Sequence, residues 1–118
     1  MSVRNYRELH AWQVGFTLAK QMYALTAAFP REEVFGLIAQ IRRAAVSVPS
    51  NLAEGAGRGS KKEFAQFISI ARGSLNEMET QLLLAQELGY CHISDDLRQD
   101  IERLYALLNG LRNSLVVR

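Results

Sequence analysis

A chain of 118 residues with a net charge of only +2, 48% of it apolar, is long enough to bury a core without metal or disulfide support and has room for one domain spanning residues 1–118. Its single cysteine, Cys91, excludes an internal disulfide and a thiolate metal cluster and suits a reducing cytoplasm. No window approaches the roughly 20 apolar residues of a membrane span, and no apolar run of signal-peptide length follows the first charges, so the chain reads as a soluble cytoplasmic protein with no membrane partner.

Asn5 and Glu8 have the spacing of a capping box for a first helix over 5–28. Leu9, Trp12, Phe16, Ala19 and Tyr23 form one apolar row, and Leu18, Met22, Leu25 and Phe29 lie beside it. Trp12, Val14, Leu18, Met22 and Leu25 give this helix more apolar width than one bundle core needs, which predicts burial against a second subunit. Phe29-Pro30 ends the helix, and Pro30, Glu32 and Glu33 suit the first turn of the next.

That second helix is predicted over 31–56. Val34, Ile38, Ile41, Ala45, Val48 and Leu52 recur at alternating spacings of four and three, and the row continues in phase past Pro49. A proline inside an unbroken period predicts a kinked helix, not two helices. Gln40, Arg43, Ser47, Asn51, Glu54 and Arg58 form a polar stripe well round from the apolar one. Gly55, Gly57 and Gly59 then break the helix, and Ser60-x-x-Glu63 caps the next.

The third helix, over 61–88, carries the most regular row: Phe64, Ile68, Ala71, Leu75, Met78, Leu82 and Ala85. Gly73 in its middle predicts close approach of another backbone, with Ala44, Ala45 and Val48 of the second helix opposite it. Gly89 closes this helix, and Ser94 caps a fourth over 94–115, where Leu97, Ile101, Leu104, Leu108, Leu111 and Leu115 again alternate four and three. Connections as short as 29–31, 56–60 and 89–93 force sequential helices antiparallel. The predicted fold is all-α, an antiparallel up-down-up-down four-helix bundle with helices roughly 35 to 40 Å long at 1.5 Å per residue.

The residues argue against an enzyme, and no metal or cofactor is expected. A carboxylate-bridged di-metal bundle needs two Glu-x-x-His motifs, and neither His10 nor His92 belongs to one. Ser47, Ser50, Ser60 and Ser74 lack a base at helical spacing, and Cys91 beside His92 sits in a loop too short for them to share a hydrogen bond easily. The Gly55-x-Gly57-x-Gly59 run follows a helix and lacks the Walker order, although glycine amides, a helix N-terminus and two lysines there suit a phosphate.

Charge is distributed unevenly. From Ile38 to Arg72, six basic residues (Arg42, Arg43, Arg58, Lys61, Lys62, Arg72) face two acidic ones, Glu54 and Glu63. From Gly73 to Leu104, Arg98 and Arg103 face seven carboxylates. Such a dipolar chain presents a basic zone without being strongly basic as a whole. Arg42, Arg58, Lys61, Lys62 and Arg72 are the candidate phosphate contacts to RNA or DNA, holding a backbone without reading sequence.

The segments IRRAAVSVPSNLAEG (Ile41 to Gly55), GRGSKKEF (Gly57 to Phe64) and IARGSLNEMETQLLLA (Ile70 to Ala85) resemble the bacterial four-helix-bundle family named after the ribosomal RNA intervening-sequence protein. The resemblance covers nearly the whole chain, weakening after Tyr90. It implies a small homo-oligomeric bundle, typically a pentameric ring, with a nucleic-acid role and no established activity; a dimer is the second expectation for this chain. More distantly the chain resembles the accessory protein of diversity-generating retroelements, a pentamer that binds nucleic acid and assists a reverse transcriptase. The resemblance carries Arg42, Arg43, Asn51, Glu54 and Gly55 onto one characteristic segment and Ser74, Glu77 and Glu79 onto another. Polar groups packed between helices or subunits must be paired, so Arg43 is expected to join Glu54 or Glu77 in a network with Asn51 and Ser74. The competing function is a structural or adaptor oligomer whose partner is another protein.

Overall fold

Four α-helices carry most of residues 5–115, the part of the chain described by the computed structural model: α1 (His10–Thr26), α2 (Leu37–Ala56), α3 (Lys61–Glu87) and α4 (Asp95–Ser114). Short 3-10 turns occupy Tyr6–Glu8 and Arg31–Glu33, and the described residues contain no strand. None of the helices is long and apolar enough to cross a membrane.

Two helices start later than the sequence predicts. Asn5 does cap, but it caps the 3-10 turn: its Oδ1 accepts from the Arg7 amide at 2.9 Å, and Leu9 is extended (φ −69°, ψ 125°), so α1 begins only at His10. A side chain that satisfies a nearby amide competes with helix propagation in this way. Gln13 then ties the turn to the helix by donating to the Arg7 carbonyl at 2.9 Å. After Pro30 the chain makes a second 3-10 turn, and Glu33 stays outside α2, where its carboxylate accepts from the Leu37 amide at 3.0 Å. An acid at the positive end of the helix serves as its cap from outside. Val34, expected in the apolar row, consequently lies before the helix and is 47% exposed.

Pro49 stands inside a continuous α2, buried against α1. Gly15 makes that contact close, since a Cβ there would meet Val48 Cγ1 at 3.3 Å and Pro49 Cδ at 3.7 Å. Ser60 starts α3 by accepting from the Glu63 amide at 3.1 Å. At the other end, Gly89 takes φ +80°, the Gly89 amide donates to Gln86 and the Tyr90 amide to Ala85, which is the Schellman stop for a helix. Ser94 opens α4 by accepting from the Leu97 amide at 3.1 Å.

Cross-helix pairs fix the directions. Gly55 meets Phe67, Ser47 bonds Ser74 and Gln40 reaches Gln81, so position falls on α3 as it rises on α2. Ser69 with Arg112, Arg72 with Asn109 and Asn76 with Tyr105 repeat the pattern between α3 and α4. Gly15 with Val48 and Tyr23 with Arg42 do so between α1 and α2, and His10 with Arg103 links α1 to α4. Each helix packs on its sequence neighbours, α1 and α4 close the square, and the backbones of the diagonal pairs do not approach one another closely. The product is an antiparallel up-down-up-down bundle.

All seven residues of the predicted α3 row are buried, Ala71, Leu75, Met78, Leu82 and Ala85 completely. They meet Leu18, Met22, Ile41, Leu52, Ile101, Leu104 and Leu108 in one core. Gly73 is a correction: it faces solvent, and an added Cβ would touch nothing within 4 Å. The close approach uses Gly55 instead, where a Cβ would stand 2.5 Å from the Phe67 Cβ. Helix lengths differ from expectation as well. Only α3, with 27 residues, reaches about 40 Å at 1.5 Å per residue, because α1 and α2 lost their first turns to the 3-10 segments.

Candidate nucleic-acid interface

The antiparallel order brings the turn between α2 and α3 to the same end as the start of α1 and the finish of α4. Arg58, Lys61 and Lys62 therefore share that end with Arg7 and Arg112, against Glu8, Glu54 and Glu63. At the opposite end Glu32, Glu33, Glu87, Asp95 and Asp96 outnumber Arg31 and Arg98. The charge asymmetry along the sequence has become a dipole along the bundle.

The five candidate phosphate contacts divide by what already holds them. Lys61 and Lys62 are exposed and have no side-chain partner among the described residues. Arg58 pairs with Glu54 at 3.1 Å and lies 5.0 Å over the Phe67 ring, so part of its charge is neutralised. Arg72 is at mid-bundle and donates to Asn109 Oδ1 at 3.0 Å. Arg42 donates to Thr26 Oγ1 at 2.9 Å and the Tyr23 carbonyl at 3.2 Å, with its guanidinium 4.5 Å over the Tyr23 ring. It serves the carbonyl end of α1, where a cation is favoured.

Sequence reasoning missed Arg112. Its guanidinium donates to Ser69 Oγ at 2.8 Å and lines, with Lys62, Gln66 and Ile70, a groove between α3 and α4 of about 670 Å³. The sequence signal was a basic residue in the last turn of helix four, which an antiparallel bundle necessarily brings to the start of helix three.

The predicted polar network is present in part. Ser47 and Ser74 share a hydrogen bond of 2.8 Å between α2 and α3, and Asn51 Nδ2 donates to both the carbonyl and the hydroxyl of Ser47 at 2.8 Å. Arg43 forms an ion pair with neither Glu54 nor Glu77 among the described residues. Glu54 turns to Arg58 one helical turn ahead, and Arg43 and Glu77 both line an open polar cavity of about 420 Å³ beside the two serines.

A second groove, about 510 Å³ and almost wholly apolar, runs between α1 and α2. Trp12 stacks on Phe16 with ring centroids 4.8 Å apart, Tyr6 meets Trp12 edge-on at 5.4 Å, and Tyr23, Val46 and Pro49 complete the walls. The surplus apolar surface of α1 is thus composed differently from expectation. Leu18 and Met22 are spent in the core, whereas Phe16 and Tyr23 are each nearly half exposed.

Three titratable groups are displaced from their ordinary values. Burial, followed by the charge and hydrogen bond of Glu79, pushes the Tyr105 phenol up to about 12; its hydroxyl donates to Asn76 Oδ1 at 2.7 Å and Glu79 Oε1 at 3.1 Å. Tyr90 is raised chiefly by its 3.0 Å hydrogen bond to Glu33. Burial raises the Cys91 thiol, which leaves it a poor nucleophile. No group of three or more His, Cys, Asp or Glu side chains among the described residues is arranged to hold a metal ion.

The family model described as 23S rRNA-intervening sequence protein matches residues 7–110. The chain belongs to this family. The match to the 23S rRNA-intervening sequence protein family takes in all of α1, α2 and α3 and most of α4, and with them both polar segments and the basic turn. No curated protein matches the chain.

Proposed function

We propose that this member of the 23S rRNA-intervening sequence protein family is a non-enzymatic homo-oligomer that holds nucleic acid by its phosphate backbone through the basic end of the bundle. The observation that carries the reading is the pair of exposed lysines, Lys61 and Lys62, without a side-chain partner among the described residues, in the first turn of α3 with Arg112 across the groove from Lys62. Lysines without internal partners are free to exchange counterions for phosphates, and contacts of this kind are strong together and indifferent to sequence. Arg58 contributes after its exchange from Glu54. Arg42 and Arg72 belong to other parts of the surface.

Assembly supplies the multiplicity. The apolar groove of Trp12, Phe16, Tyr23 and Val46 is covered by a second copy of the chain, and a cyclic oligomer, a ring of five by family resemblance, repeats the basic end around its axis so that weak contacts act together. The same groove favours the second reading, an adaptor that docks a different protein there.

Changing Lys61 and Lys62 to glutamate separates the two. The exchange improves the interaction with the positive end of α3, so lost binding is not lost folding. Affinity for labelled single-stranded RNA should fall steeply from low to physiological salt in the parent and be largely lost in the double variant. Equal binding by both, or none by either at low salt, overturns the nucleic-acid reading and leaves the adaptor.

A further inference from the structure

The cavity between α2 and α3 sets two oppositely charged side chains beside a pair of bonded serines. Arg43 and Glu77 face it with opposite charges, and neither is paired among the described residues. The side-chain oxygen of Gln81 is shut off from solvent and receives no hydrogen bond, while its amide nitrogen makes only a long contact of 3.4 Å with Gln40 Oε1. Ser47 and Ser74 form the floor, and Phe35, 93% exposed, stands at the mouth. A volume of about 420 Å³ is in the ordinary range for a small planar ligand.

We infer that this cavity receives one unstacked guanine base of a single-stranded nucleic acid. Guanine is the base whose edges match what stands here. Its O6 and N7 accept from an arginine fork, its N1 and N2 hydrogens suit a carboxylate, and its ring has a free aromatic face on which to lie in Phe35. Adenine offers a donor where Arg43 needs an acceptor, and a pyrimidine lacks the second ring. The exposed amide nitrogen of Gln81 and the serine hydroxyls at the cavity wall serve the remaining polar positions of the base. This inference deepens the nucleic-acid reading and rests on it for the class of ligand: the basic end holds the backbone, and the cavity adds a preference for guanine.

Titration of the intact protein with guanosine 5′-monophosphate and adenosine 5′-monophosphate, followed by ligand-observed NMR, tests it. The two share a phosphate, so a difference reports on the base. Guanosine monophosphate should bind at least about tenfold more tightly, the worth of one good bidentate contact to a base edge. Glu77→Gln and Arg43→Ala should each abolish that preference without changing the helical signal, because neither side chain has a partner to lose among the described residues. Phe35→Ala should weaken both nucleotides together, and K61E/K62E should leave the preference intact. Equal affinity for the two nucleotides, no binding of either, or an unchanged preference in Glu77→Gln overturns the inference. If long single-stranded RNA still binds with the expected salt dependence in those cases, the cavity proposal alone has failed.

Discussion

Gly55 in the last turn of α2 and Phe67 in the second turn of α3 are so close that a methyl group on the glycine would stand 2.5 Å from the Phe67 Cβ and 3.1 Å from Phe64 Cδ1. Neither of those atoms is the far end of a flexible chain free to move aside, so the two helices are held at this separation by the missing side chain. Gly55→Ala should therefore destabilise the bundle by about 1–3 kcal/mol as overpacking does, more than the roughly 1 kcal/mol of helix propensity it gains. Gly73→Ala, with nothing within 4 Å, should stabilise by up to about 1 kcal/mol. Urea unfolding of both variants checks the opposite signs.

The contrast between these glycines marks where the sequence was legible. Helical period alone identified the α3 row, because burial follows the period wherever a helix is continuous, and Leu75, Met78 and Leu82 are fully enclosed. In the sequence Gly73 reads as a packing glycine and Gly55 as the start of a helix-breaking run with Gly57 and Gly59, and only the rotation of each helix about its axis says which faces a neighbour. The late starts of α1 and α2 were hidden for a related reason: Asn5 and Glu33 do the capping expected of their residue types, one on a 3-10 turn and the other from outside the helix. At the basic end, local spacing placed Lys61 and Lys62 in the first turn of α3, whereas Arg112 comes to that end only through the antiparallel closure of α4.

The serine pair between α2 and α3 makes a second prediction. Ser47 accepts from Asn51 as well as sharing a hydrogen bond with Ser74, so Ser47→Ala removes two side-chain hydrogen bonds and Ser74→Ala one. The first should cost about 1–3 kcal/mol and the second about 1 kcal/mol. The double variant should cost less than the sum, and a double-mutant cycle by thermal unfolding measures that shortfall.

A third prediction concerns alkaline pH. The Tyr105 phenol is raised to about 12 by burial first and Glu79 second, against an ordinary value of 10.0. Between these values the unfolded chain releases the proton that the folded chain keeps, so its contribution to stability is complete below pH 10 and is lost as pH rises to about 12. Tyr105→Phe should flatten that part of the stability profile and remove one late-titrating component from the tyrosinate absorbance.

The apolar groove makes a fourth. Phe16 and Val46 are 47% and 41% exposed, so charging them leaves the core untouched while spoiling the face proposed to meet a second copy. Phe16→Glu with Val46→Lys should keep the far-ultraviolet helical signal and reduce the assembly to a 13.3 kDa monomer in sedimentation at micromolar protein.

Native mass spectrometry of the parent protein, with and without a short single-stranded RNA at low ionic strength, tests the central claim most directly. A multiple of 13.3 kDa, five copies by family resemblance, that gains the mass of bound RNA and loses it in K61E/K62E while the protein assembly stays intact is the predicted result. A 13.3 kDa monomer whose mass the RNA does not change would contradict it.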